Sequence, residues 1–174
     1  DVTREVSKEI GAAGMITGAV WADVSGDQNK ELVITGEWMA TRIFSYNKVA
    51  RKFEEQNNTK LENLYGWWQT IAAGDVNGDG KTDLVIGNIG ENFYLRPTQT
   101  NPVKLWLNDF DQSGTVDQFL TRTIEEKGKK RDMPVFLKRE VTDQFPLLKK
   151  GNLKHSEYAV KSIQDLFSKE LIKG

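Results

Sequence analysis

Asp75, Asn77 and Asp79 place oxygen-bearing side chains at alternate positions, Gly80 follows, and Asp83 closes the set. Residues of these types at this spacing suit one kind of chemistry, the holding of a hard divalent cation. Such an ion takes about six to eight oxygens at roughly 2.3–2.6 Å, so a short loop must curl around it. Alternation turns successive side chains inward, Gly80 permits the sharp bend, and the Lys81 carbonyl supplies a backbone oxygen. Three carboxylates this close repel one another without a counter-charge. The competing reading is a hydrophilic Asn-Gly or Asp-Gly turn between two strands. Four donors in register favour calcium.

The loop is not an EF-hand. That motif needs a bidentate Glu at its twelfth position and a helix on each side. Here the twelfth position is Ile86, and Leu84-Val85-Ile86 is a short apolar, β-branched run that reads as a buried strand. Trp68-Gln69-Thr70-Ile71-Ala72-Ala73 reads as the strand before it. The expected site is strand–loop–strand.

Two further stretches repeat the pattern. Asp23, Ser25, Asp27 and Glu31 align without a gap on Asp75, Asn77, Asp79 and Asp83, and Leu32-Val33-Ile34 falls on Leu84-Val85-Ile86. Gln28 stands where the second loop has glycine, so this first loop is expected to bind most weakly. Asp109, Asp111, Ser113, Thr115 and Asp117 fall at alternate positions in a third set, with Gly114 at the bend and Leu120 at the twelfth position. Spacing and donor strength rank the Asp75–Asp83 loop first.

Other chemistries find little support. There is no cysteine, and the single histidine, His155, lies in a lysine-containing helical stretch. Thiolate sites, zinc sites and Ser-His-Asp triads therefore lack their residues. Paired carboxylates could hydrolyse a glycoside, but the well-placed acids are accounted for as cation ligands, and Glu125 and Glu126 adjoin a turn. The chain is not expected to be an enzyme. Lys127, Lys129, Lys130, Arg131, Lys149, Lys150 and Lys154 make a basic cluster with no recognised nucleic-acid module, so it reads as a solvated face. Trp67 and Trp68 are adjacent on a strand and face opposite sides of the sheet. One or both could stack on a sugar ring, though core packing is the ordinary role, as for Trp21, Trp38 and Trp106.

The elements that must hold these loops are mostly strands. An offset of 52 residues relates the first two loops, and repeats of roughly 40–50 residues with several short strands mark propeller blades. Residues 15–22, 32–34, 41–46 and 52–55 supply four strands of a first blade. A second continues from 84–86 through 87–92 to 103–107, with 119–124 as its outgoing strand and 127–131 as a basic turn. The third loop interrupts the period and joins the last two strands of this second blade. Val2, Val6 and Ile10 hint at a helical turn near the start. After Pro134 the apolar period lengthens to helical: Val141, Phe145 and Leu148 make one face, broken at Pro146, and Val160, Ile163, Phe167 and Leu171 make another.

Length and charge fit this division. The 174 residues suffice for one substantial core plus an appendage. Residues 1–117 carry 11 Lys/Arg against 17 Asp/Glu, whereas residues 118–174 carry 13 against 8. The acidic excess coincides with the loops, where bound divalent ions would offset it. No run of eighteen apolar residues exists, so no helical membrane span is expected. The start at Asp1 without Met suggests a processed or excised segment.

The three loops, with residues 66–75 and 87–92, resemble the FG-GAP/VCBS repeat family. More narrowly, including residues 108–111 and 147–150, the chain is similar to repeat proteins of Bacteroidetes-type bacteria that carry an ASPIC/UnbV segment. The resemblance implies integrin-α-like blades with calcium between strands, export to the cell surface or beyond, and a role in binding. The expected fold is mainly β: about two propeller-like blades over residues 1–134, forming part of a propeller, and a helical segment over 135–174. The expected function is a calcium-binding module for protein or glycan ligands at the cell surface, joined to the remaining blades of a larger chain. The alternative is an accessory carbohydrate-binding domain of a polysaccharide-processing protein.

Overall fold

The computed structural model describes residues 2–57, 59–90 and 93–173. Glu91 and Asn92, at the end of the expected 87–92 loop, lie outside the described residues. The chain is mainly β, with antiparallel sheets and short helices, and it divides into two compact units, Asp1–Phe93 and Tyr94–Gly174.

The first unit begins with two helical turns, α1 (Thr3–Val6) and α2 (Lys8–Gly11). Ser7 separates them with extended backbone, and its hydroxyl accepts from the Ile10 N–H at 3.2 Å to cap the second. Six strands follow: β1 (Met15–Ala22), β2 (Glu31–Met39), β3 (Arg42–Asn47), β4 (Lys52–Glu55), β5 (Gly66–Gly74) and β6 (Asp83–Asn88). Each of β1–β4 pairs with the next, as expected for a first blade. The continuous apolar run of β2 is explained by burial on both faces, since Val33 and Ile34 point opposite ways and are both enclosed. Ile34, Met39 and Phe44 form a core with Ala13, and Ile10, Leu32 and Phe53 pack around it.

β2 is also the hub. Beyond its pairing with β1 and β3 it meets β5 at Glu37 and Met39, and β5 pairs with β6. The pairing of β1 with β2 slips between Ile16 and Gly18, and there the Met15 carbonyl crowds Gly36. A Cβ on Gly36 would stand 2.0 Å from that oxygen, so only glycine admits this approach.

In the second unit, β7 (Val103–Asn108), β8 (Asp117–Glu126) and β9 (Lys129–Pro134) form a separate three-stranded sheet. This corrects the expected second blade: β8 pairs with β7 on one side and β9 on the other, and among the described residues this sheet is separate from that of β6. The basic stretch is not only a turn. Lys127 and Gly128 turn the chain at positive φ, and Lys129–Arg131 already belong to β9.

The remaining helices are α3 (Lys138–Gln144), a 3-10 turn over Pro146–Lys149, α4 (His155–Ala159) and α5 (Ile163–Leu166). The break at Pro146 falls where the sequence places it. The second helical face does not form one helix. Ser162 is extended and starts a new turn, with Asp165 accepting from its N–H at 2.8 Å and its hydroxyl at 2.7 Å. Val160 is left exposed, while Ile163 and Phe167 are buried.

These short helices are not an appendage, which moves the boundary from 134/135 to 93/94. A three-stranded sheet needs a partner for its apolar face. Phe110 and Phe119 from the sheet region share one core with Val141, Phe145, Tyr158, Ile163, Leu166 and Phe167. Phe167 lies at the middle, with ring centroids 4.7 Å from Phe110 and 5.3 Å from both Phe119 and Phe145. Phe167→Ala is expected to cost about 3–5 kcal/mol of stability in this unit, the usual range for an enclosed ring. Denaturant unfolding followed by the amide NMR signals of β7–β9 checks it, and a change within error of wild type would contradict this packing.

Candidate metal centres

Each of the three loops is the hairpin connection between consecutive strands: β1–β2, β5–β6 and β7–β8. The flanking pairs are equivalent, being Ala22 with Glu31, Gly74 with Asp83, and Asn108 with Asp117. The third loop therefore does not close a second blade. It opens the sheet of its own unit, in the position the other two hold.

The loops share a backbone as well as a place. Their fourth and sixth residues are left-handed: Gly26 and Gln28 at φ 79 and 70°, Gly78 and Gly80 at 79 and 81°, Gln112 and Gly114 at 60 and 88°. Two glycines relieve both positions in the second loop only. The first and third each place a glutamine in a conformation that favours glycine.

What holds this turn is the first aspartate. Asp75 accepts from the N–H groups of Gly78 at 2.7 Å, Asp79 at 3.2 Å and Gly80 at 2.8 Å. Asp23 accepts from Gly26, Asp27 and Gln28 at 2.7, 3.2 and 2.8 Å. Asp109 accepts from Ser113 and Gly114, both at 2.8 Å. The ninth residue ties down the other side. Asp83 accepts from Val76, Asp117 from Phe110 and Glu31 from Val24, each at 3.0 Å.

The donors differ from loop to loop. Among the described residues, one group of three carboxylates has ligand atoms all within 4.8 Å of one another: Asp109, Asp111 and Asp117. In the second loop, Asn77 supplies an amide oxygen at the third position; that oxygen accepts from the Asp79 N–H, and Asp79 accepts from Lys81, both at 2.9 Å. In the first, Asp27 accepts from Asn29 at 2.8 Å, and the Ser25 hydroxyl approaches Glu31 at 3.5 Å. Glu31 is the most enclosed of these acids, at 3% exposure. Ser113 and Thr115 share a hydroxyl hydrogen bond at 2.9 Å. Hard oxygens with ionised carboxylates fit a divalent cation of the calcium kind, and a carboxylate oxygen holding one N–H keeps a lone pair for an ion.

At three of the acids the hydrogen bonds favour the charged form. The Gly80 and Gly78 N–H groups hold Asp75 below the usual carboxylate range, Asn29 does so for Asp27, and Ser113 for Asp111.

The tryptophans take other roles. Trp67 packs edge-on between Trp38 and Phe93, with centroids at 4.9 and 5.7 Å. Trp68 covers Gly66 and donates its indole N–H to the Leu64 carbonyl at 3.0 Å. His155 opens α4 on the surface.

Two outcomes follow from the loop backbone. Gln28→Gly is expected to stabilise the first unit by about 1 kcal/mol, because it removes a left-handed non-glycine residue; thermal melts check it. Gly substitution also loosens the unfolded chain, so a fall in stability would mean Gln28 is not strained. Asp75 has a folded pKa below its unfolded one. Its contribution is therefore complete above the unfolded value and lost as pH falls through the lower, folded value. The Gly78 and Gly80 amide resonances should hold their positions on acidification until pH is below the ordinary aspartate value of about 3.9. A midpoint at or above that value would contradict the cap.

Residues 67–106 match the model of the FG-GAP repeat, and residues 23–86 match that of an FG-GAP-like repeat. No curated protein and no solved structure matches the chain. The first match runs from β5 through the second loop into β7, and the second spans the first two loops. Together the two matches run from the first loop to the threshold of the third, and over these residues the chain is similar to FG-GAP repeats.

Proposed function

We propose that the chain is a non-catalytic binding module whose strand-connecting loops take calcium, working outside the cell or on its surface beside further blades of the same kind. One observation carries this reading: three loops repeat one backbone, and in the third three carboxylates converge within 4.8 Å. A plain turn needs a single capping acid; it does not need acids at the first, third and ninth positions. Asp109, Asp111 and Asp117 would hold the ion with Ser113 and Thr115, and the second loop would use Asp75, Asn77, Asp79, Lys81 and Asp83. The bound ion supplies charge neutralisation and cross-links the two ends of the hairpin. The partners are protein or glycan ligands, with no role for nucleic acid.

FG-GAP repeats are typical of extracellular and surface proteins, which supports this location. Among the described residues no helix is long and apolar enough to cross a membrane. The narrower placement, among ASPIC/UnbV-associated proteins of Bacteroidetes-type bacteria, belongs to the same proposal and rests on sequence resemblance at residues 108–111 and 147–150. The accessory carbohydrate-binding role is the second reading. Trp67 and Trp68 do not favour it, because both rings are engaged within the first unit.

Calorimetry and thermal melts with calcium test the proposal. Dissociation constants near ~10⁻⁴–10⁻³ M are expected, as for other extracellular modules. Calcium at a hundredfold excess over its constant should add about 2.7 kcal/mol, and chelation should remove it. Magnesium should substitute poorly, since it demands stricter octahedral geometry. Asp111→Ala and Asp79→Ala should each remove one binding event, and Asp27→Ala should change least. If neither Asp111→Ala nor Asp79→Ala alters binding or melting temperature, the loops are turns and the cation reading fails.

A further inference from the structure

The first unit has a cleft of about 290 Å³ that the cation loops do not touch. Trp38, Arg42, Glu55, Gln56, Glu62 and Tyr65 line it. We propose that this cleft binds a neutral saccharide ring, with Trp38 and Tyr65 against its apolar face and the Arg42–Glu55 pair on its hydroxyls. The proposal deepens the reading of the chain as a non-catalytic binding module and supplies the ligand class that reading leaves open.

Trp38 is the first reason. The pairing of β2 with β5 slips between Glu37 and Met39, and Trp38, between them, sits at φ 61°. A bulky residue in that region is a steric outlier against an ordinary conformation. Glycine would satisfy the bulge without strain, so the bulge alone does not call for tryptophan. Bulges of this kind re-aim a side chain. Here the indole is braced edge-on by Trp67 at 4.9 Å and contributes to the cleft wall. Strain kept at a concave surface by a braced aromatic is what a preformed recognition site requires.

Charge gives the second reason. Arg42 and Glu55 meet as a two-pronged pair, Nε to Oε1 at 2.6 Å and Nη2 to Oε2 at 2.5 Å. Both stay partly exposed, at 22 and 30% of the side chain. The pair presents guanidinium donors beside carboxylate acceptors, which matches the adjacent hydroxyls of a sugar, each donor and acceptor at once. Gln56 adds both functions, and Tyr65, 70% exposed, adds a ring and a phenol. Glu62 leaves the lining with one net negative charge, which disfavours an anion. The volume lies at the small end of ligand pockets, about 300–1,000 Å³, and suits a single ring or the end of a chain.

The test is titration of the whole chain with glucose, galactose, mannose and N-acetylglucosamine, followed by tryptophan fluorescence and saturation-transfer NMR. At least one sugar should give a saturable change. Tyr65→Ala and Gln56→Ala, both at exposed positions, should weaken it about tenfold with an unchanged melting temperature, as loss of one stacking or hydrogen-bonding partner predicts. Trp38→Gly should abolish binding while relieving the backbone. No saturable change with any of the four sugars overturns the proposal, and so does binding that Tyr65→Ala and Gln56→Ala leave intact. Tighter binding of tetramethylammonium than of every sugar also overturns it, in favour of a cation site. Each titration is repeated after calcium chelation, at a temperature where the chain stays folded. Sugar binding with no calcium signal in calorimetry would fell the cation reading alone; calcium binding with no sugar signal would fell this one alone.

Discussion

A single carboxylate at the start of each hairpin loop is the constraint on which the structure turns. Asp23, Asp75 and Asp109 each gather backbone N–H groups from the far side of their loop and so fix a left-handed turn between two strands. The ninth residue repeats the device from the opposite strand. Because the loop ends are pinned this way, the register of each hairpin is pinned with them, and a slip of one residue would turn every side chain to the wrong face. The same requirement makes acids of the residues that can also serve a cation. Structure and ligand supply draw on one set of side chains.

Two different cores back these hairpins. In the first unit β2 is buried on both faces, so its partners gather around it and the chain accepts tight contacts such as that of Met15 on Gly36. The second has only three strands and too little apolar face to stand by itself. It is completed by short helices whose aromatic rings close over Phe119. At the edge of that core the character becomes polar: Asp132 accepts from Thr123 at 2.6 Å and from Lys104 at 2.9 Å. Burial raises the Asp132 pKa, but these hydrogen bonds outweigh it and keep the acid ionised. The Trp106 indole finds the Thr121 hydroxyl at 2.8 Å, so the polar groups of this face are matched in pairs.

The loop acids and the cleft of the first unit draw on separate side chains. Hairpin loops closed by acids suit a stabilising ion at the end of a blade, where the backbone is already ordered and little entropy remains to be lost on binding. The cleft of the first unit, around Trp38 and Tyr65, takes none of its lining from the loop acids.

Local sequence determined the loops and the strands beside them. Alternating acids, a glycine at the bend and a β-branched run are short-range signals, and here they specify a hairpin whatever lies around it. The same signals exposed the 52-residue repeat and the change to helical period after Pro134. Pairing beyond a hairpin was not legible, because strand alternation says which face is buried and not which neighbour covers it. So β7 and β8, expected in a second blade, form their own sheet with β9, and the expected appendage became half of a core. The long amphipathic helix does not form for a related reason: Val160 faces solvent, and Ser162 and Asp165 make a local cap that ends one turn and begins another. Gln28 is legible as standing where the second loop has glycine, but that it and Gln112 nonetheless keep the left-handed backbone is decided only in the folded loops. The cleft was beyond reach as well. Its walls come from residues spread between Ala13 and Tyr65, and only the pairing of β2 with β3 and β5 brings them together.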